Sequence, residues 1–121
     1  MKPPIVINDS LDPEQSGDLC VYDSVEAAES AIEYDSAFDD QLHVYDSEGR
    51  KLKIVPNEDR RAAHLEEAEP IPSHGDLLLT ILRKCLLRRG EPRNIVEAMD
   101  ASRLMRTIYE RDPNPYSGIK R

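Results

Sequence analysis

Tryptophan is absent from the 121 residues, phenylalanine occurs once and cysteine only twice. The core is therefore expected to be aliphatic, and the two cysteines, Cys20 and Cys85, lack the C-x-x-C spacing of a zinc or dithiol centre. Both fall inside expected regular elements and read as reduced, buried apolar fillers. No apolar run approaches the roughly 20 residues that span a bilayer. The opening MKPPIVIND lacks the apolar core of a signal peptide, so a cytoplasmic protein without membrane contact is expected. No glycine-rich loop stands ready to cradle a phosphate. Three histidines, His43, His64 and His74, fall on a strand, a linker and a helix lead-in, without ligand spacing, so neither a metal nor another cofactor is expected. Asp46-Ser47-Glu48-Gly49 lacks the alternating ligands and terminal glutamate of a calcium loop and reads as a turn. With no convergent nucleophile or acid/base pair visible, the chain is not expected to be an enzyme.

Charge is what the sequence has in abundance. Charged residues make up 33% and the net charge is −8. Residues 1–69 hold 18 Asp or Glu against 6 Lys or Arg, net −12, whereas residues 70–121 hold 6 against 10, net +4. A field of carboxylates repels phosphate, which argues against nucleic acid as a partner of the first half. It suits a basic protein partner, because complementary fields speed and orient encounter. The alternative is intramolecular, with basic helices packed beside acidic loops. The basic set Arg83, Lys84, Arg88, Arg89 and Arg93 offers phosphate or RNA contacts, but no stacking aromatics are interleaved with it, and a solvated or acid-paired face is the preferred reading.

The segment from Asp18 to Val55 sets the plan: strand, helix, strand, tight turn, strand. The string VYDS occurs twice, at Val21 to Ser24 before a helix and at Val44 to Ser47 before a hairpin. Ile5, Val6 and Ile7 form a first β-branched strand, pairing antiparallel with Asp18 to Tyr22. Asp23 or Ser24 caps a helix from about Val25 to Glu33. Residues 41–45 and 51–55 alternate around Asp46-Ser47-Glu48-Gly49, where Gly49 suits a left-handed turn position. By the two-residue period of strands, Leu19, Val21, Leu42, Val44, Leu52 and Ile54 are expected on one face beneath the helix. Cys20, Tyr22, His43, Tyr45, Lys53 and Val55 are expected on the other. Residues 56–72 read as a polar linker, with a short helix over 58–68 as the alternative. Ser73 caps a helix with the stripe Leu77, Leu78, Ile81, Leu82, Cys85 and Leu86, ended by Gly90. Pro92 opens a last helix through about Arg111, whose Ile95, Val96, Met99, Met105, Ile108 and Tyr109 spread widely enough to imply contacts on two sides. Residues 112–121 read as a loose tail.

GDLCVYDSVEAAESAIEYDS, followed by HVYDSEGRKLKIV, resembles a family of small bacterial proteins. They carry a Gly-Asp-Leu strand, a Ser-Val-Glu-x-Ala-Glu helix start and a Tyr-Asp-x-Glu-Gly-Arg hairpin. The matching residues are Gly17, Asp18, Leu19, Ser24, Val25, Glu26, Ala28, Glu29, Tyr45, Asp46, Glu48, Gly49 and Arg50, within about a third of the chain. Where that pattern ends its first helix with a proline-containing Tyr-Leu-Glu-Pro, this chain has Ala31-Ile32-Glu33-Tyr34-Asp35. The family is similar to immunity proteins, which neutralise a polymorphic toxin deployed against neighbouring bacteria. The expected fold is one α+β domain spanning 1–121, an antiparallel sheet of about four strands in ββαββ order. One helix lies on its face and two C-terminal helices lie alongside, over 73–111. The resemblance and the acidic half together imply a cognate toxin as partner, basic at its contact surface and met by Glu33, Asp35, Asp39, Asp40, Glu58, Asp59, Glu66, Glu67 and Glu69. An intracellular adaptor or regulatory module is the competing expectation.

Overall fold

Ile5, Val6 and Ile7 are all buried, and they point alternately to two separate apolar clusters. A strand apolar on both sides belongs inside a sheet with both faces covered. In the computed structural model, which describes residues 1–32, 41–57 and 62–111, this strand, β1 (Ile5–Asp9), lies between β2 (Asp18–Tyr22) and β3 (Leu42–Tyr45). The sheet continues through β4 (Lys51–Asn57) to β5 (Ala62–Glu67), and every pairing is antiparallel. One face carries the helix α1 (Val25–Ala31); the other carries α2 (Gly75–Arg88), α3 (Arg93–Glu97) and α4 (Ala101–Arg111). The class is α+β, with five described strands where about four are expected.

Local chemistry accounts for the helix ends. Ser24, rather than Asp23, caps α1, its Oγ accepting from Ala27 N–H at 3.0 Å; Asp23 instead accepts from the Tyr109 hydroxyl at 3.1 Å. The cap of α2 differs from expectation. His74 stands at the cap without a side-chain bond to the helix, because Ser73 turns its hydroxyl to Glu69. Gly90, at φ +95°, ends α2 as expected: its N–H reaches Leu87 O at 3.0 Å and Glu91 N–H reaches Leu86 O at 3.1 Å. This paired closure satisfies carbonyls that a helix terminus otherwise leaves open.

Three expectations are corrected. Residues 62–67 form a strand, not part of a linker or a helix, because Ala63 and Leu65 alternate with His64 and Glu66 and find an apolar partner in α1. The last helix is two helices: Asp100 caps α4, its Oδ1 accepting from Arg103 N–H at 2.8 Å, which stops the backbone of α3 from running on. Lastly, Leu19 and Val21 lie on the face of α2 and α4, with Val6 and Tyr45, whereas Leu42, Val44, Leu52 and Ile54 face α1 with Cys20 and Tyr22. The reason is register, since β1 between β2 and β3 aligns Val6 with both Val21 and Tyr45. The tail 112–121 lies outside the described residues.

Both faces are well filled. On the α2 side, Ile81, Leu82 and Leu86 are fully buried, each contributing on the order of 1.5–3 kcal/mol by leaving water. No described helix is long and apolar enough to cross a membrane. The outer edge of β5 is guarded by α1, where Glu29 Oε2 accepts from Leu65 N–H at 2.8 Å. Strand edges invite pairing with another chain, and a carboxylate bonded there blocks it. Glu29→Ala is expected to cost about 1 kcal/mol by leaving that amide without its partner. It should also raise self-association, and denaturant melts with sedimentation velocity on the same samples check both. An unchanged melt and an unchanged sedimentation coefficient would show that the contact does neither.

Candidate functional site

The two ends of the sheet have different chemistry. At the end where β2 finishes and β4 begins, the turn after Tyr45 is built on Asp46, a fully buried carboxylate. Asp46 Oδ1 accepts from Glu48 N–H and Arg50 N–H, each at 2.9 Å, and Oδ2 accepts from Lys2 N–H at 3.2 Å with Arg50 Nε at 3.7 Å. Gly49, at φ +83°, touches α2 so closely that a Cβ would lie 2.5 Å from Gly75 Cα. Its carbonyl accepts from His74 N–H at 2.9 Å.

Glu69 completes this clamp. Its carboxylate accepts from Lys51 N–H (3.0 Å), Ser73 N–H (2.9 Å) and Ser73 Oγ (2.8 Å), with His74 Nδ1 at 3.1 Å. These bonds, the Lys51 amide foremost, hold its pKa at about 2. Burial pushes the Tyr45 hydroxyl up, assisted by the Glu69 charge. Burial lowers the Lys51 ammonium, against the opposing pull of Glu69; Lys51 Nζ lies 5.0 Å from the Tyr45 ring centroid. Ser73, His74 and Glu69 invite comparison with a catalytic triad, but serine and carboxylate both approach the same ring nitrogen, Nδ1, at 3.2 and 3.1 Å. A proton relay needs them on opposite nitrogens. The arrangement fastens β4 to the start of α2.

At the other end, β1 and β4 finish while β2, β3 and β5 begin. Asp9 lies directly opposite Asp18 across the β1–β2 ladder, and opposite Leu42 across the β1–β3 ladder. Like charges facing each other across a ladder are destabilising. Neither has a cation among the described residues, where Arg50 is held by Asp46 and Glu67 and Lys53 by Glu66. With Cys20, Ala31, Ile32 and Leu42, the two aspartates line a cavity of about 290 Å³. Ile32 and Leu42 bracket the segment 33–40, so this acidic stretch departs from and returns to one cavity wall.

The nine carboxylates expected to meet a partner are thus divided. Glu33, Asp35, Asp39, Asp40, Glu58 and Asp59 lie outside the described residues, but both segments that carry them join the strands at the Asp9–Asp18 end. Glu66, Glu67 and Glu69 lie toward the opposite end and are engaged within the chain. Glu66 contacts His64 at 2.9 Å and Lys53 at 3.8 Å, and Glu67 contacts the Met1 amino group at 2.7 Å and Arg50 at 3.2 Å. Asp9 and Asp18 were not legible as a pair, because cross-strand register depends on contacts distant in sequence. The basic side of α2 is in part solvated, Arg88 and Arg89 being exposed and Arg83 and Lys84 half-buried, but its side chains reach main-chain oxygens rather than acids. Lys84 donates to Glu14 O at 2.9 Å, Arg88 to the carbonyls of Ser16 and Gly17, and Arg89 to Leu19 O at 3.5 Å. These cations strap α2 to the β1–β2 loop. Among the described residues no His, Cys, Asp and Glu cluster could hold a metal ion.

Because the folded pKa of Glu69 lies below its ordinary value of 4.5, its contribution to stability is present above pH 4.5 and is lost as pH falls toward 2. Glu69→Gln is expected to lower stability at neutral pH and to flatten acid unfolding across that window, as read from chemical melts at stepped pH. Wild type and variant losing stability in parallel below pH 4.5 would contradict it. Comparison of the chain with protein-family models, with curated proteins and with solved structures returned no match.

Proposed function

We propose that this chain is an immunity-type protein that binds and neutralises a cognate toxin domain, presenting the Asp9–Asp18 end of its sheet to a basic active site. The observation that carries the reading is the pair itself: two aspartates face each other with no ion-pair partner among the described residues, beside the wall from which the acidic segment 33–40 departs. A fold gains nothing from such repulsion, whereas a basic partner converts it into attraction. Carboxylates placed where the toxin expects an anionic substrate block its site by occupying it. In this reading the chain acts in the cytoplasm, away from nucleic acid, whose phosphates the same field repels. The sequence resemblance to immunity proteins supports the reading independently of the charge.

Co-expression with the neighbouring open reading frame tests it, because the neighbour alone should stop growth and this chain should bind it and restore growth. Asp9→Asn with Asp18→Asn is expected to raise stability by about 0.5 kcal/mol, an effect that shrinks with added salt. The same variant should slow association with the toxin by about tenfold at low salt. A harmless neighbour, or full rescue with unchanged salt dependence after charge reversal of Asp9, Asp18, Asp35, Asp39 and Asp40, would count against the proposal.

A further inference from the structure

The wide apolar spread of the C-terminal helices has a structural counterpart that the acidic end does not use. One side of α3 and α4 is buried, with Val96, Leu104, Met105 and Ile108 in the core. The other side is open. Ile95 is 46% exposed, and with Ala98 and Met99 it floors a depression of about 560 Å³ bordered by Ser102, Arg103 and Arg106. That volume falls within the roughly 300–1,000 Å³ of ligand sites. Ser102 and Arg106 also border a second, mainly apolar cleft of about 290 Å³, reaching Pro3 and Pro4, so the surface continues around α4.

The charges on this surface are distinctive. Among the described residues, Arg50, Arg83, Arg88, Arg89, Arg93 and Arg111 each point a guanidinium at an oxygen of the chain. Arg103 and Arg106 do not, and their three-residue spacing puts them on one side of α4. Asp100, the acid beside them, is occupied in capping the helix at Arg103 N–H. The groove, which Asp100 also lines, therefore combines an apolar floor with two exposed cations that have no partner among the described residues, on a chain of net charge −8.

We infer that the α3–α4 groove docks a short acidic segment of a protein partner, one apolar side chain seated over Ile95 and Met99 and two carboxylates bound by Arg103 and Arg106. Guanidinium matches carboxylate in bidentate geometry. Single-stranded nucleic acid fits less well, because it calls for exposed stacking rings. The nearest ring, Tyr109, is half-buried with its hydroxyl on Asp23. The groove lies on the helices that cover the sheet face opposite α1, and it shares no lining residue with the Asp9–Asp18 cavity, so this inference does not rest on the proposed function.

Selection of displayed short random peptides on the full chain tests it. Enriched peptides should carry two or more carboxylates around an apolar residue and should shift the methyl resonances of Ile95 and Met99. Arg103→Glu with Arg106→Glu should weaken the best peptide by at least about tenfold, and Arg103→Gln with Arg106→Gln by less, with unchanged thermal melting. Ile95→Asp should weaken it comparably. No enrichment, peptides indifferent to all three variants, retention of RNA through the same arginines, or an Arg103- and Arg106-dependent dimer of this chain would each overturn the inference.

Discussion

A single buried carboxylate holds the strands and the helices in one arrangement. Asp46 is inaccessible to water, yet it accepts three main-chain N–H groups and lies beside the Arg50 guanidinium. A buried charge is tolerable only when its oxygens are satisfied in this way. What satisfies them is the architecture: Lys2 leads into β1, Glu48 and Arg50 shape the turn before β4, and Arg50 reaches on to Glu67 and to the carbonyl of Pro70. Through Gly49 the same turn bears on the first residues of α2. Sheet and helical layer are thereby set relative to each other at this end, while Lys84 and Arg88 tie α2 to the β1–β2 loop at the other.

The elements legible in the sequence are those whose signals are local. Gly49 in a four-residue connection, Ser24 before an apolar stripe and Gly90 after another each act within a few residues of themselves, and the hairpin, α1 and α2 follow from them. What escaped depends on neighbours remote in sequence. Leu19 and Val21 alternate in the same way whichever face they take, and only the insertion of β1 between β2 and β3 decides it. Ala62 to Glu67 is weak both as helix and as strand until α1 supplies an apolar partner for Ala63 and Leu65. The candidate site divides along the same line. Of the carboxylates grouped by sequence proximity, Glu66, Glu67 and Glu69 are engaged within the chain, while Asp9 and Asp18, nine residues apart, are brought together by register.

The polarity of the chain, acidic first and basic afterwards, takes a form inside the fold that neither a solvated face nor simple ion pairing describes. The long cations of α2 reach main-chain carbonyls of the β1–β2 loop, fixing backbone that has few other partners. Asn8 secures the same loop from the sheet side, its Oδ1 accepting from Gly17 N–H and its Nδ2 donating to Gln15 O, both at 2.9 Å. Basic residues that appear available for phosphate are thus occupied in construction. Asp9 and Asp18 have no ion-pair partner among the described residues, the cations that reach their loop being bonded to its carbonyl oxygens.

Glu29 links two places that sequence separates by 36 residues. Its helix ends at the cavity wall where the acidic segment 33–40 begins, and its carboxylate ends on the amide of Leu65 at the edge of β5. One hydrogen bond thus joins the helix that leads into that segment to the free edge of the sheet. Solvent exchange of the Leu65 amide therefore reports how firmly α1 is seated against the edge of β5.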